Sequence, residues 1–331
     1  MSIQAADLDF DIKKAVVTGG SGFIGSHIVD FLVDVIGADT TVYDNLSTGD
    51  RSLVEHHKNK TNFHFIEADV LDLDTLEKSF GGADTVVHFQ ANADVRGGIE
   101  NRRIDLEQNT ISTWNVLECM KRQGVKNIAF SSSATIYGEP ETFPTPEDIA
   151  PLQTSLYGAS KFCGEAMIQA YCEYFGMRSF IYRFVSWTGE RYSHGVVYDF
   201  YKKLKASPNK LEILGNGKQN KSYLDVTDGV NGIMTAIAKS EGNKNIYNLG
   251  HDDFINVLAV ADIICEEMGL TDVEYAIEDP NKDRGWIGDS PVVHLDTSRL
   301  QSLGWAPTVK IEDSIRATTR YLIDHPELTE R

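Results

Sequence analysis

Short apolar runs recur through the first half of the chain, with helically spaced apolar stripes between them. Lys14 to Thr18, Thr40 to Tyr43, Phe63 to Glu67, Thr85 to Phe89, Asn127 to Phe130 and Ser179 to Arg183 read as strands. A stripe through Ile28, Phe31 and Leu32 predicts a helix after the first run. Further helices are predicted over Asp74 to Phe80, Asn101 to Arg122 and about Ser155 to Phe175. This alternation implies an α/β fold, a doubly wound parallel sheet with helices on both faces. Ligands of such sheets bind at the carboxyl ends of the strands. Gly19 to Gly25, Asp44, Asp69, Gln90 and Ser131 to Ser133 each fall just after a strand, so they are expected to line one edge.

Beyond Gly189 the pattern loosens. Loops rich in Gly, Asn and Lys, such as Gly215 to Lys221, alternate with a helix near Asp228 to Ala238 and a strand-like Asn245 to Leu249. A last helical pair brackets Pro291 to Pro307. The expected division is a sheet domain of residues 1–185 with 222–256, and a smaller α/β substrate-binding portion of 186–221 with 257–331.

The first strand runs into Gly19-Gly-Ser-Gly-Phe-Ile-Gly25, whose spacing fits both G-x-G-x-x-G and G-x-x-G-x-x-G. Gly22 lets the backbone approach a pyrophosphate, and Gly25 lets the new helix sit close to the strand. The helix N-terminus then faces the anion with free N–H groups and the positive end of its dipole. The second strand ends in Asp44, nineteen residues after Gly25. An acid there suits a ribose 2′-hydroxyl and repels a 2′-phosphate, so the Rossmann-type sheet is expected to bind NAD rather than NADP.

Acidic residues outnumber basic ones 49 to 31 over 331 residues, a net charge of −18. That balance argues against a nucleic-acid or anionic-membrane partner, and any phosphate site must be built locally from backbone N–H groups and a few cations. The four cysteines have no paired metal spacing and suit reduced thiols in a cytoplasmic protein. No His-x-x-x-His occurs, the adjacent His56 and His57 lie in a charged stretch expected to face solvent, and no metal site is expected. The polar, acidic Met1 to Asp11 lacks the features of a signal peptide, and no apolar run approaches the ~20 residues of a membrane span.

Tyr157 and Lys161 are four apart on a predicted helix, so phenol and ammonium share a face. A free tyrosine, with a pKa near ~10, is only about 0.1% ionised at pH 7. Bringing that value to ~7 requires roughly 4 kcal/mol of preferential stabilisation of the tyrosinate, the order supplied by a neighbouring Lys⁺ and the positive ring of NAD⁺. Such a tyrosinate is a competent base for taking an alcohol proton as hydride leaves its carbon. Ser133, 24 residues upstream, is placed to hydrogen-bond the same oxygen.

These pieces together resemble the extended short-chain dehydrogenase/reductases and, within them, the NAD-dependent nucleotide-sugar epimerase/dehydratase family, most like the UDP-galactose (UDP-glucose) 4-epimerases. The matching stretches are Thr18 to His27, Tyr43-Asp-Asn45, Asp69-Val70, Asn92 to Val95, Ser131 to Gly138, Tyr157 to Lys161, Lys221-Ser-Tyr223, Arg284 to Asp289 and Leu303 to Pro307. The resemblance implies tightly held NAD, Tyr157 as base, Lys161 on the nicotinamide ribose and Ser133 supporting proton transfer. Backbone at Gly19, Gly22, Phe23, Ile24 and Gly25 is implied to meet the pyrophosphate. Asp69 and Val70 are implied at the adenine, with Asp44, Asn45, Gln90 and Asn109 also on the cofactor. The implied reaction takes hydride from C4 of a UDP-sugar, turns the 4-keto sugar over and returns the hydride to the other face.

Several positions depart from the family pattern. Gln90 stands where a small residue is usual, Ser186 where an Asn amide meets substrate, and Lys221 where an Arg binds the diphosphate. Arg96, Arg191 and Arg284 are further cations for a diphosphate or for surface ion pairs. Val293 occupies a position where a bulky aromatic excludes N-acetylated sugars, so N-acetylhexosamine nucleotides are expected to enter. Ala134-Thr135 replaces the Asp-Glu pair of related 4,6-dehydratases. The alternatives are a UDP-glucuronate 4-epimerase or decarboxylase, a 4,6-dehydratase, or a non-catalytic NAD-binding regulatory protein. The resemblance also implies a homodimer through the helices after Asn109 and at Tyr157, with Cys119, Met120, Met167 and Tyr171 as apolar material.

Overall fold

The computed structural model describes residues 8–329, so the expectation for Met1 to Asp11 lies largely outside the described residues. The first six apolar runs become strands β1 (Lys14–Thr18), β2 (Asp39–Asp44), β3 (Phe63–Glu67), β4 (Thr85–His88), β5 (Asn127–Ser133) and β6 (Arg178–Phe184). The second half supplies β7 (Ser186–Thr188), β8 (Lys210–Ile213), β9 (Asn220–Lys221), β10 (Tyr223–Asp225), β11 (Lys244–Leu249), β12 (Ile255–Asn256), β13 (Glu274–Ile277) and β14 (Val292–Val293). Seven of these form one parallel sheet in the order β11-β6-β5-β4-β1-β2-β3. The order reverses at β1, which opens a crevice between the ends of β1 and β4.

Helices α1 (Phe23–Asp30), α2 (Leu73–Ser79), α3 (Gly97–Glu100), α4 (Ser112–Gln123) and α5 (Leu156–Phe175) connect the first strands. The later helices are α6 (Val196–Ala206), α7 (Val226–Lys239), α8 (Val257–Glu267), α9 (Ser298–Gln301) and α10 (Ile311–Asp324). As expected, the loosened second half returns β11 and α7 to the main fold. The helix predicted from Asn101 instead begins at Ile104, and its Leu106–Ile111 portion is wound as a π-helix before α4. Such a bulge takes up one extra residue and re-aims the side chains it carries, here Asn109.

Strand alternation sorts the core into two layers. Val16, Val86, Ile128, Phe130 and Ile181 face Leu76, Val116, Leu117, Met120 and Ile168 of the helices on one side. Ala15, Val17, Val87, Ala129, Phe180 and Tyr182 face Ile28, Val29 and Ile233 on the other. The four cysteines are free thiols on helices. Cys119 and Met120 are fully buried in this chain's own core, so they do not provide the interface material expected of them. Among the described residues no helix is long and apolar enough to cross a membrane.

Candidate functional site

At the end of β1 the chain turns through Gly19 with φ at +75°, a region open mainly to glycine. A Cβ on Gly25 would lie 2.1 Å from the Gly19 carbonyl oxygen, and one on Gly19 would lie 2.7 Å from the Gln90 backbone nitrogen. α1 opens on Gly22 with no side-chain cap and no acid in its first turn. Phe23 turns its ring inward against Tyr192, 5.5 Å between centroids. The result is a glycine-walled cradle at an uncapped helix N-terminus, which fits an anionic pyrophosphate.

The expected acid is in place and already engaged. Asp44 is 7% exposed; its Oδ2 accepts the Ser21 N–H and its Oδ1 the Leu46 N–H, both at 2.9 Å. Burial raises its pKa, and the two backbone donors oppose that rise. A carboxylate has about four acceptor sites, so capacity for a ribose hydroxyl remains while Asp44 pins the glycine turn to β2. Asn45 donates to Asp69 Oδ2 at 2.8 Å, and Asn115 donates to the Val70 carbonyl at 2.9 Å. Asn45, Asp69 and Val70 thus form one patch beside the cradle.

Gln90, after β4, donates to the carbonyl and the side-chain oxygen of Gln108 at 3.1 and 2.8 Å; its own Oε1 is buried without a partner. Asn109 donates to Ser160 Oγ at 2.9 Å and to Asp105 Oδ1 at 3.1 Å. Asp105 is a buried acid beside these groups that no local pattern distinguished from the many other acids. Its Oδ2 has no partner, and burial raises its pKa.

Ser155 caps α5 through the Gly158 N–H at 3.0 Å, which sets Tyr157 and Lys161 on the first two turns over the end of β5. The Tyr157 phenol is hydrogen-bonded to Ser133, whose Oγ also accepts from Thr135. Lys161 Nζ donates to the Ser131 carbonyl at 2.7 Å and lies 5.9 Å from the centre of the Tyr157 ring. The expectation of a depressed phenol pKa is not met by the protein alone. Burial pushes Tyr157 up to about 12, with Ser133 opposing, and burial pulls Lys161 down to about 7, with Asp105 opposing. Desolvation disfavours both charged forms, and the Asp105 carboxylate adds to the rise of the phenol.

On the opposite wall Lys221 contacts Asp289 Oδ1 at 2.5 Å, and its Nζ lies 5.1 Å from the Trp286 ring centre. The Arg96 guanidinium lies 5.5 Å from the same ring. Trp286, absent from the expected site, gathers two of the proposed cations, and its Nε1 is buried without a partner. Arg284 instead pairs with Glu139 at 2.6 Å. Val293 pairs with Lys221 across β14 and β9 and lines a small cavity with Ala134 and Tyr137, at the end of β5. Ser186 is exposed at the start of β7, paired with Tyr223.

His57 departs from expectation, and Arg191 takes the ion-pair role that was one of its two expected ones. His57 is fully buried, not solvent-facing: its Nε2 lies 2.7 Å from Asp30 Oδ1, and His56 Nε2 lies 2.9 Å from the same atom. Arg191 takes the other Asp30 oxygen at 2.7 Å, tying the loop after β7 to α1 rather than reaching a diphosphate. The three ligand-type side chains Asp30, His56 and His57 meet only through the fold, which spacing in the sequence does not reveal.

The family model described as "NAD dependent epimerase/dehydratase family" matches residues 15–250. A protein of Methanocaldococcus jannaschii, provisionally named a UDP-glucose 4-epimerase, is 32% identical over 313 residues, covering 93% of this chain and 97% of its own. UDP-glucuronic acid decarboxylase 1 of Danio rerio is 29% identical, covering 94% of this chain and 73% of its own. A crystal structure of a UDP-galactose 4-epimerase superposes with a TM-score of 0.83 at 35% identity, covering 94% of this chain and 99% of its own.

Proposed function

Since the chain belongs to the NAD-dependent epimerase/dehydratase family, we propose that it interconverts the C4 epimers of a UDP-hexose, UDP-glucose and UDP-galactose foremost. The observation that carries this reading is the Ser133–Tyr157–Lys161 cluster at the end of β5, on the same sheet edge as the glycine cradle and followed by Ala134 and Thr135 rather than an acid pair.

NAD, when bound, supplies the hydride acceptor and donor for C4 and a positive charge beside the phenol. Asp44 and Asn45 would take the adenosine side, the turn from Gly19 to Gly25 the pyrophosphate, and Lys161 with Asn109 and Gln90 the nicotinamide side. Tyr157 takes the proton of the sugar 4-hydroxyl as that carbon is oxidised and returns it when the keto group is reduced from the other face. Ser133 donates to the same oxygen and holds the phenol in line. Lys161 stabilises the tyrosinate through space while its seat on the Ser131 carbonyl fixes its position.

Lys221, Arg96 and Trp286 form the side of the site proposed for the UDP diphosphate, with Arg284 released from Glu139 as a further cation. Val293 leaves room for an N-acetyl group. Residues 1–185 with 222–256 are read as the cofactor domain and the remainder as the sugar-nucleotide portion. Exposed Leu106, Ile111, Trp114 and Leu156 around the π-turn, α4 and α5 support self-association there, and the free thiols suit a cytoplasmic location.

The test is to purify the protein without added cofactor and offer UDP-glucose, UDP-N-acetylglucosamine and UDP-glucuronate. Conversion of the first to UDP-galactose without added NAD supports the reading; carbon dioxide released from the third, with no epimer from the others, replaces it with a decarboxylase.

A further inference from the structure

Three consecutive serines at the end of β5 meet three residues spaced one helical turn apart on α5. The Ser133 hydroxyl bonds Tyr157, the Ser131 carbonyl takes Lys161 at 2.7 Å, and Ser132 Oγ donates to Glu165 Oε1 at 2.5 Å. Residues four apart share a helix face, so Tyr157, Lys161 and Glu165 form one row over β5. The seat is tight. A Cβ on Gly164 would lie 2.8 Å from the Phe130 ring, and one on Gly158 would lie 2.8 Å from the Thr135 carbonyl oxygen.

Glu165 is 0% exposed and is held by a two-pronged ion pair with Arg183 of β6, Nη2 to Oε2 at 2.8 Å and Nε to Oε1 at 3.0 Å. Arg183 also donates to the Tyr137 hydroxyl at 2.8 Å and the Glu147 carbonyl at 2.7 Å. Tyr137 donates on to Asn248 Oδ1 at 2.7 Å, and Asn248 Nδ2 reaches the carbonyls of Thr145 at 2.8 Å and Asp296 at 3.0 Å. The chain of bonds therefore runs from α5 across β5, β6 and β11 to the loop three residues beyond Val293.

A buried ion pair is often replaceable by apolar residues with no loss of stability, so stability alone does not account for one here. A bidentate pair does fix direction and distance. We propose that Glu165, clamped by Arg183 and hydrogen-bonded by Ser132, is a positioning residue that sets the depth at which α5 presents Tyr157 and Lys161 to the ends of β5. This inference rests on the epimerase reading above. Glu165 touches no reacting atom; it acts through the helix that carries the other two.

Glu165→Gln leaves Arg183 buried without its counterion and risks misfolding, so the deciding variant is Ser132→Ala, which removes one donor and leaves the ion pair intact. Two readouts are taken on folded, full-length protein. Steady-state turnover of UDP-glucose is expected to show kcat lowered roughly tenfold or more with KM within about twofold, as for a misplaced reactive group. Carbon-13 NMR of ring-labelled tyrosine, with Tyr157→Phe for assignment and both proteins in the same cofactor state, is expected to show the Tyr157 titration displaced from its wild-type position. Asp105, the other charged group acting on the phenol, is unchanged in this variant. An unchanged Tyr157 titration in folded Ser132→Ala overturns the proposal, as does unchanged kcat. If the wild type turns over no UDP-sugar, the functional reading fails, and the titration, which needs no substrate, still decides the positioning role.

Discussion

Gly25, on the first turn of α1, lies against the carbonyl oxygen of Gly19, so close that a Cβ there would sit 2.1 Å away. Relieving that contact requires the turn to open and the helix to lift from β1. Gly25→Ala is therefore expected to purify with little bound NAD and to be less stable by about 1–3 kcal/mol, the usual cost of forced overpacking. Absorbance of the released cofactor and a denaturant titration check both halves. A variant that retains wild-type NAD content shows that the cradle is not the cofactor site.

Removing one oxygen isolates the proton step. Tyr157→Phe is expected to keep its cofactor and fold while losing roughly 10²–10⁴-fold in kcat, the range for a general acid–base group. Ser133→Ala is expected to lose less, because water can replace its hydroxyl. Equal rates for Tyr157→Phe and wild type remove the phenol from the chemistry.

Stability should fall with acid in a defined window. Burial holds His88 down to about 3 and His27 to about 4, both below the ordinary 6.5. Between those values and 6.5 the unfolded chain binds more protons than the folded one, so stability rises with pH across that interval and is lost as pH falls through it. For His27 alone the shift corresponds to about 3 kcal/mol. His27→Asn is expected to show a shallower fall in Tm from pH 6.5 to 4 than wild type; parallel curves contradict the assignment.

The wall formed by Val293 invites a specificity test. Val293→Tyr is expected to keep turnover of UDP-glucose within a few-fold and to abolish that of UDP-N-acetylglucosamine. Loss of both activities together places the side chain on the common part of the substrate instead.

The parallel sheet and the glycine cradle were legible because each is written in local periodicity and spacing: six apolar runs became six strands, and the helix read from about Ser155 became α5. The site's supporting groups were not. Glu165 meets Arg183 across 18 residues and Asp30 meets Arg191 across 161, distances at which spacing carries no signal. Asp105 is one acid among 49 Asp and Glu until the fold buries it beside Asn109. The elevated Tyr157 and lowered Lys161 likewise come from desolvation, a property of the packed molecule. Cys119 and Met120 read as surface-helix material because an apolar stripe looks the same whether it meets a partner or its own sheet.

The most direct test of the central claim is to incubate the protein, without added NAD, with UDP-glucose carrying deuterium at C4. Hydride removed to a bound nicotinamide and returned to the same carbon predicts UDP-galactose that retains the deuterium at C4. Deuterium lost to water, or no galactose product while the sugar is consumed, contradicts the account.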